Sequence, residues 1–326
     1  MAEAGVNRTA RVAVASRSFS RHPQLRGELL ARYEHVTFNE SGRALAGAEL
    51  VSFLQGHEKA VTALEVIDEG LLAQLPELKV IGKYGVGLDM IDLSAMEHRG
   101  VLLGWTGGVN KRSVSELVIA AAISLLHRTE ESHAEVRAGT WRQLQGRQLS
   151  GRTVGIVGCG HIGKDVATLL QAFDCRVLAH DILDFPEFYA AHRVAPVSLD
   201  KLLAEAEVVT IHLPLDGSTR DMFDARRLHM MRRGACLINL SRGGIVDEAT
   251  LGALLRSGHL AGAALDVFTE EPPRDLELLN LPTLIATGHI GGSTEEAVLA
   301  MGRAAIEGLD SARPARAYIQ QVAATA

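Results

Sequence analysis

Cysteine is scarce in this chain. The three residues, Cys159, Cys175 and Cys236, are odd in number, each in or beside an apolar segment and none at metal-type spacing. That argues against a cysteine-built metal site and suits a reducing compartment. A sustained Lys/Arg block is also missing, and with a formal net charge of −6 this argues against an electrostatic nucleic-acid binder and leaves small diffusible partners. No run of about eighteen uninterrupted apolar residues occurs. The N-terminal "MAEAGVNRTARVAVASRSF" has no long apolar core of a signal peptide. Neither membrane insertion nor export is therefore expected, and the protein is expected in the cytoplasm. Internal repeats and low-complexity segments are absent too. What remains is a chain of 326 residues, 47% hydrophobic and 22% charged, which reads as a globular protein of two domains or one large α/β domain.

From about residue 150 short β-branched runs alternate with longer helical patterns, the signature of successive βα units on a parallel sheet. The runs are "TVGIVG", "CRVLAHD", "EVVTIHLP", "ACLINLS", "GAALDVF" and "TLIATGH". Six strands of this kind make a doubly wound sheet, buried on both faces. The first hundred residues alternate as well, with "RVAVAS", "ELVSFLQG", "LKVIGKYG" and "VLLGW" as strand candidates of a second, smaller α/β domain. Between the two, "SVSELVIAAAISLLHR" places Val114, Leu117, Val118, Ala121 and Leu125 at helical spacing, with Ser113 and Glu116 as a capping box. The segment "STEEAVLAMGRAAIEGLD" repeats the device with Ser293 and Glu296.

The tetrapeptide GHIG occurs twice, at Gly160–Gly163 and at Gly288–Gly291. In the first copy Gly158, Gly160 and Gly163 form G-x-G-x-x-G directly after a strand-like run and at the opening of a helical pattern. Gly158 permits the tight turn, Gly160 lets backbone approach a pyrophosphate, and Gly163 allows close helix-to-strand packing. His161 is then incidental. Asp181 closes the next strand, roughly 20 residues on, where a carboxylate accepts hydrogen bonds from a ribose 2′-OH and repels a 2′-phosphate. With no Arg just after it, NAD is favoured over NADP. A solvated Asp at a strand end is the alternative reading.

In an open α/β sheet the ligand crevice lies outside the carboxyl ends of the strands. Arg242 follows "ACLINLS", Glu270 and Glu271 follow "GAALDVF", and His289 follows "TLIATG". A cation, a carboxylate and an imidazole on one rim form a kit for hydride transfer at a carbon bearing oxygen. Arg242 would bind an anionic group, a carboxylate would orient the ring and stabilise its charged form, and His289 would exchange the hydroxyl proton. Taken singly, each residue can equally be a solvated loop charge.

From about Ala60 to about Ala312 the sequence resembles the D-isomer-specific 2-hydroxyacid dehydrogenase family, which includes phosphoglycerate, glycerate and D-lactate dehydrogenases. "VGIVGCGHIGKDVA" is similar to the family's NAD loop, and "LINLSRGGIVDEATL" to the segment of its catalytic arginine, here Arg242. "GAALDVFTEEPP" resembles the segment whose catalytic glutamate precedes proline, which selects Glu271, and "GHIGGST" the segment of the catalytic histidine, His289.

The resemblance implies a Rossmann-type doubly wound parallel sheet domain, residues 107–295, inserted into a smaller flavodoxin-like α/β substrate domain, residues 1–106 with 296–326, and a homodimer. It implies NAD as cofactor, bound by Gly158, Gly160, His161, Ile162, Gly163, Asp181, His212, Pro214 and Asp266, the last either touching the cofactor or supporting the site. Tyr84, Val86 and Gly87, in "GKYGVGLDMID", would bind the substrate together with Arg242 and His289, the carboxylate taking backbone N–H groups.

The implied reaction interconverts a small D-2-hydroxy acid and its 2-oxo acid. Lys83, Lys111 and Arg112 are candidates for a second anionic group such as phosphate or phosphonate, with surface solvation as the bland reading. The rivals are an NADH-sensing corepressor-like binding protein and a phosphite/phosphonate-type dehydrogenase. Two residues depart from the family: Gly288 stands where proline usually precedes the histidine, so that loop is expected to be freer, and Met90 stands where Asn commonly follows Asp89.

Overall fold

The computed structural model describes residues 7–318. It divides into two compact units, one made of the chain up to Asn110 and from Glu295 onward, the other of Lys111–Thr294.

The first unit carries β1 (Arg11–Val14), β2 (His35–Phe38), β3 (Lys59–Thr62), β4 (Val80–Lys83) and β5 (Leu102–Gly104), all parallel, in the spatial order 2-1-3-4-5. This is the flavodoxin-like order, which reverses direction between β1 and β3. Two apolar clusters cover the two faces, one around Leu50, Leu54, Ile81 and Met96, the other around Val12, Phe19, Leu25 and Ile306. "ELVSFLQG" is not a strand but part of the helix Gly47–Leu54. Only Leu50 and Leu54 in it are buried, four residues apart, so the period that matters is 3.6 and not 2. The strands β2 and β3 are not among the strands expected from the sequence; β2 is a half-exposed edge without an apolar run.

The second unit carries β6 (Thr153–Val157), β7 (Arg176–His180), β8 (Val194–Pro196), β9 (Val208–Ile211), β10 (Cys236–Asn239), β11 (Gly262–Leu265) and β12 (Leu284–Ala286) in one parallel sheet. Its order, β8-β7-β6-β9-β10-β11-β12, is that of the doubly wound Rossmann sheet, extended by one strand. Seven strands replace the expected six. The extra one, β8, is a three-residue edge ending in proline, and it lacks the apolar run of its neighbours. In chain order the last strand, β13 (Arg313–Pro314), returns to the first unit and pairs antiparallel with β5.

Both expected capping boxes are displaced. The first helix is Lys111–His127, so Ser113 lies inside its first turn, and its hydroxyl donates to Gly291 O at 2.5 Å instead of capping. The second is Glu295–Ser311, which puts Thr294, not Ser293, at the position before the helix. Among the described residues no helix is long and apolar enough to cross a membrane.

Candidate active site

The ends of the second unit's strands gather the chemistry. After β6 the chain turns at Gly158, whose φ of +92° lies in the left-handed region, and a Cβ there would stand 2.4 Å from His212 O. At Gly160 a Cβ would meet nothing within 4 Å, whereas at Gly163 it would lie 2.1 Å from Gly158 O. The three glycines thus do three different things: one turns, one leaves space, one lets the helix His161–Leu170 sit close on the strand end.

No side chain caps that helix, so its first N–H groups, including those of His161, Ile162 and Gly163, are available to an anion. The turn and the uncapped helix start fit a dinucleotide pyrophosphate. Burial, with the Lys111 and Lys164 ammonium groups adding, holds the His161 imidazole below its ordinary range.

Asp181, directly after β7, is not a loosely solvated strand-end residue. Its Oδ2 accepts from Cys159 N at 2.6 Å and its Oδ1 from Leu183 N at 2.8 Å, tying the glycine turn to the end of β7. His212, after β9, is buried, and burial pushes its imidazole down to about 3. The ring is therefore neutral, with Nε2 3.0 Å from Thr210 Oγ1 and Nδ1 without a partner. Pro214 O accepts from Thr219 Oγ1 at 2.7 Å, which closes the loop that follows.

The second GHIG is built around Asp266 at the end of β11. Asp266 is 1% exposed. Its backbone O accepts from His289 N at 2.9 Å, Oδ1 from Ile290 N at 2.8 Å and from Thr287 Oγ1 at 2.6 Å, and Oδ2 from Gly291 N at 2.7 Å. One buried aspartate thus fixes three consecutive amides, and His289 is held at φ +56°. Its Nδ1 lies 3.0 Å from Glu271 Oε2, while Oε1 of the same glutamate accepts from Phe268 N at 3.2 Å. A carboxylate only accepts, so Nδ1 carries a proton and Nε2 is left as the nitrogen that exchanges one. Glu270 points elsewhere and pairs with Arg274 at 2.8 Å.

Arg242 follows β10 on a turn shaped by Asn239, whose Nδ2 donates to Arg242 O at 2.9 Å and whose Oδ1 accepts from Ser241 N at 3.1 Å. The Arg242 guanidinium donates through Nη1 to Ser241 O at 2.7 Å. At the next residue, Gly243, a Cβ would stand 1.8 Å from Phe268 O, so only glycine lets the arginine turn pack on the segment that leads to Glu271. Asn239, Gly243, Thr287 and Ser113 all support the site, and sequence patterning selects none of them. Their roles arise from contacts between distant segments; only the short spacing of Asn239 to Ser241 is a local turn signal.

Gly288 has room for a Cβ, with nothing within 4 Å. The loop is nevertheless not free, because the amides after Gly288 are tied to Asp266. Two of the three expected anion ligands are engaged within the protein. Arg112 pairs with Asp165 at 2.9 Å, and Lys83, 5% exposed, donates to Ala63 O.

In the first unit Tyr84 is buried against Phe19, ring centroids 5.5 Å apart, and burial raises its phenol. The turn that follows has Gly85 at φ +127° and Val86 O accepting from Trp105 Nε1 at 3.0 Å. The N–H groups of Gly85, Val86 and Gly87 have no acceptor among the described residues.

Comparison with known proteins agrees with this geometry. The family model described as D-isomer specific 2-hydroxyacid dehydrogenase, NAD binding domain, matches residues 119–291. Human D-3-phosphoglycerate dehydrogenase is 35% identical over 256 residues, which cover 78% of this chain and 48% of the relative. The chain spans about half the length of the curated relatives it matches. Among solved structures, the TT0316 protein from Thermus thermophilus has a TM-score of 0.79 at 34% identity, with 92% of this chain and 95% of that one covered. A glyoxylate reductase from Paecilomyes thermophila has a TM-score of 0.82 at 25% identity, with 92% and 94% covered. The strand orders, the glycine turn and the matched span together establish that the chain belongs to the D-isomer specific 2-hydroxyacid dehydrogenase family, with the second unit as its NAD-binding domain.

Proposed function

We propose that the protein is an NAD-dependent oxidoreductase that interconverts a small D-2-hydroxy acid and its 2-oxo acid. The observation that carries the reading is the His289–Glu271 pair, 3.0 Å apart, on a loop fixed by a buried aspartate at the carboxyl end of the sheet. Bound NAD supplies or accepts the hydride at C2. The chain's own residues do the rest. On reduction His289, protonated on both nitrogens, donates from Nε2 to the oxygen that becomes the hydroxyl. On oxidation the neutral ring takes that proton back. Glu271 keeps the proton on Nδ1 and balances the imidazolium charge. Arg242 supplies a fork of donors for the substrate carboxylate and polarises the oxo group. In the first unit the unpartnered amides of Val86 and Gly87 are candidate backbone donors for an anionic group.

Gly158, Gly160, Gly163 and the N–H groups of His161 and Ile162 would hold the pyrophosphate, Asp181 the adenosine ribose, with His212 and Pro214 lining the turn. Asp266 is a positioning residue, since both its oxygens are taken by the histidine loop. We further propose a homodimer. The helix Thr129–Arg137 buries none of its residues, and Trp141 beyond it is 85% exposed.

The test is NADH consumption by the purified protein across a panel of 2-oxo acids, with chiral analysis of the product. Turnover to the D-hydroxy acid supports the reading. NADH binding without turnover of any acid overturns it in favour of an NADH-responsive binding protein.

A further inference from the structure

The turn that carries Arg242 runs on into the helix Glu248–Arg256, which Asp247 caps. Asp247 Oδ1 accepts from Ala249 N and Thr250 N, each at 3.1 Å, and its Oδ2 from Thr250 Oγ1 at 2.6 Å. The helix start is therefore served without Glu248, its first residue. An acid in a first turn ordinarily faces solvent and gains only from the helix dipole. The Glu248 carboxylate instead reaches a distant segment: its Oε1 accepts from Thr269 N at 2.6 Å and from Thr269 Oγ1 at 2.8 Å.

Thr269 stands two residues before Glu271. The amide just before it, Phe268 N, donates to Glu271 Oε1 at 3.2 Å, and Glu271 Oε2 faces His289 Nδ1 at 3.0 Å. Two successive amides of one loop thus serve two carboxylates, one that meets the histidine and one that holds the loop. A second grip on the loop lies at Gly243, where a Cβ would stand 1.8 Å from Phe268 O and 2.7 Å from Thr269 N. Gly243 and Glu248 begin and end the stretch that follows Arg242, so the loop of Glu271 is pinned at two points to the arginine turn. Burial fixes Phe268 but not the residues after it, since Thr269 and Glu270 are exposed and Glu270 pairs with Arg274. All of these residues belong to the second unit.

We infer that Glu248 is a positioning residue of the candidate active site: through Thr269 it sets the spacing between Arg242 and the Glu271–His289 pair. The inference rests on the dehydrogenase reading above. The contact asks for an acceptor oxygen and not for a charge, because an amide N–H and a hydroxyl both donate to it. Glutamine keeps such an oxygen, and alanine removes one of the two pins.

The experiment compares the intact protein with Glu248→Ala, Glu248→Gln and Thr269→Val in three measurements. These are kcat on the 2-oxo acid reduced best, the NADH dissociation constant, and the Nδ1 proton resonance of His289 in protein carrying isotope-labelled histidine, assigned by its loss in His289→Gln. In Glu248→Ala kcat should fall by about tenfold to a hundredfold, the scale of a catalytic group misplaced by about an ångström. NADH binding should be unchanged, and the His289 resonance should shift or be lost to exchange. Thr269→Val keeps the amide and loses only the hydroxyl, so it should show the same changes to a smaller degree. Glu248→Gln should restore both kcat and the resonance. A His289 resonance unmoved in both Glu248→Ala and Thr269→Val, or a Glu248→Gln protein no better than the alanine variant, overturns this inference alone. Turnover of no 2-oxo acid by the intact protein overturns the dehydrogenase reading; the resonance, which needs no substrate, still decides whether Glu248 holds the Glu271–His289 pair.

Discussion

His289 adopts a left-handed backbone, φ +56°, that a side chain enters at a cost of about 1–2 kcal/mol. Three amide contacts to Asp266 hold it there, and Ser113 bonds the carbonyl of Gly291 at the far end of the loop. Strain maintained by a buried carboxylate is what the role proposed for His289 calls for. In the first GHIG the same left-handed demand falls on Gly158, two residues before the tetrapeptide, and the histidine is an ordinary first residue of a helix. The same four letters therefore stand in different backbone settings. Asp181 also works at this scale. Asp181→Asn keeps an oxygen for Cys159 N but removes the charge that repels a 2′-phosphate. Losing one charge-assisted hydrogen bond should reduce the NAD over NADP preference by about tenfold in dissociation constants. An unchanged preference would remove Asp181 from the ribose site.

Among the elements, the glycine turn is legible in the sequence because its physics is local: a strand, three glycines at fixed spacing and a helix. The same holds for the charged residues that follow β10, β11 and β12. What the sequence hides is tertiary. Ser113 looks like a cap because it precedes Glu116 by three residues, yet the helix starts earlier and the hydroxyl serves a loop far along the chain. Asp266 is placed at the site by resemblance alone, and which of its two expected roles fits is decided only by the three amides that it binds. "ELVSFLQG" shows that four apolar residues in a short run do not separate strand from helix unless their period is counted. Packing between elements also sets a sharp constraint at Gly104 on β5, where a Cβ would lie 2.1 Å from Gly308 O in the helix Glu295–Ser311. Gly104→Ala should destabilise the protein by about 1–3 kcal/mol, read in urea denaturation. A neutral result would mean that the helix can shift off the sheet at little cost.

For the molecule as a whole, acid stability should depend on a half-hidden ionic knot in the first unit. Asp310 accepts from Arg32 Nε at 2.6 Å, Lys59 Nζ at 2.8 Å and Tyr33 OH at 2.5 Å. Burial raises its carboxyl, but the hydrogen bonds from Lys59 and Tyr33, with the Lys59 charge and Arg32, outweigh burial and hold it below the ordinary value. A depressed carboxylate stabilises the fold above its unfolded value, near pH 4, and that stabilisation is lost as pH falls through the folded value. Asp310→Asn should therefore cost about 2 kcal/mol at pH 7 and progressively less below pH 4, measured by denaturant titration at both pH values. A loss that is independent of pH would assign the effect to packing. Light scattering should give twice the mass of one chain, and Trp141→Asp should shift it toward the monomer; a monomeric parent protein would exclude the homodimer.

The most direct measurement is kcat of His289→Gln on the 2-oxo acid that the unaltered protein reduces best, together with its NADH dissociation constant. Glutamine cannot take and release a proton at the Nε2 position, so kcat should fall by about two to four orders of magnitude while NADH still binds. Undiminished turnover in that variant would contradict the assignment of His289 as the acid–base residue.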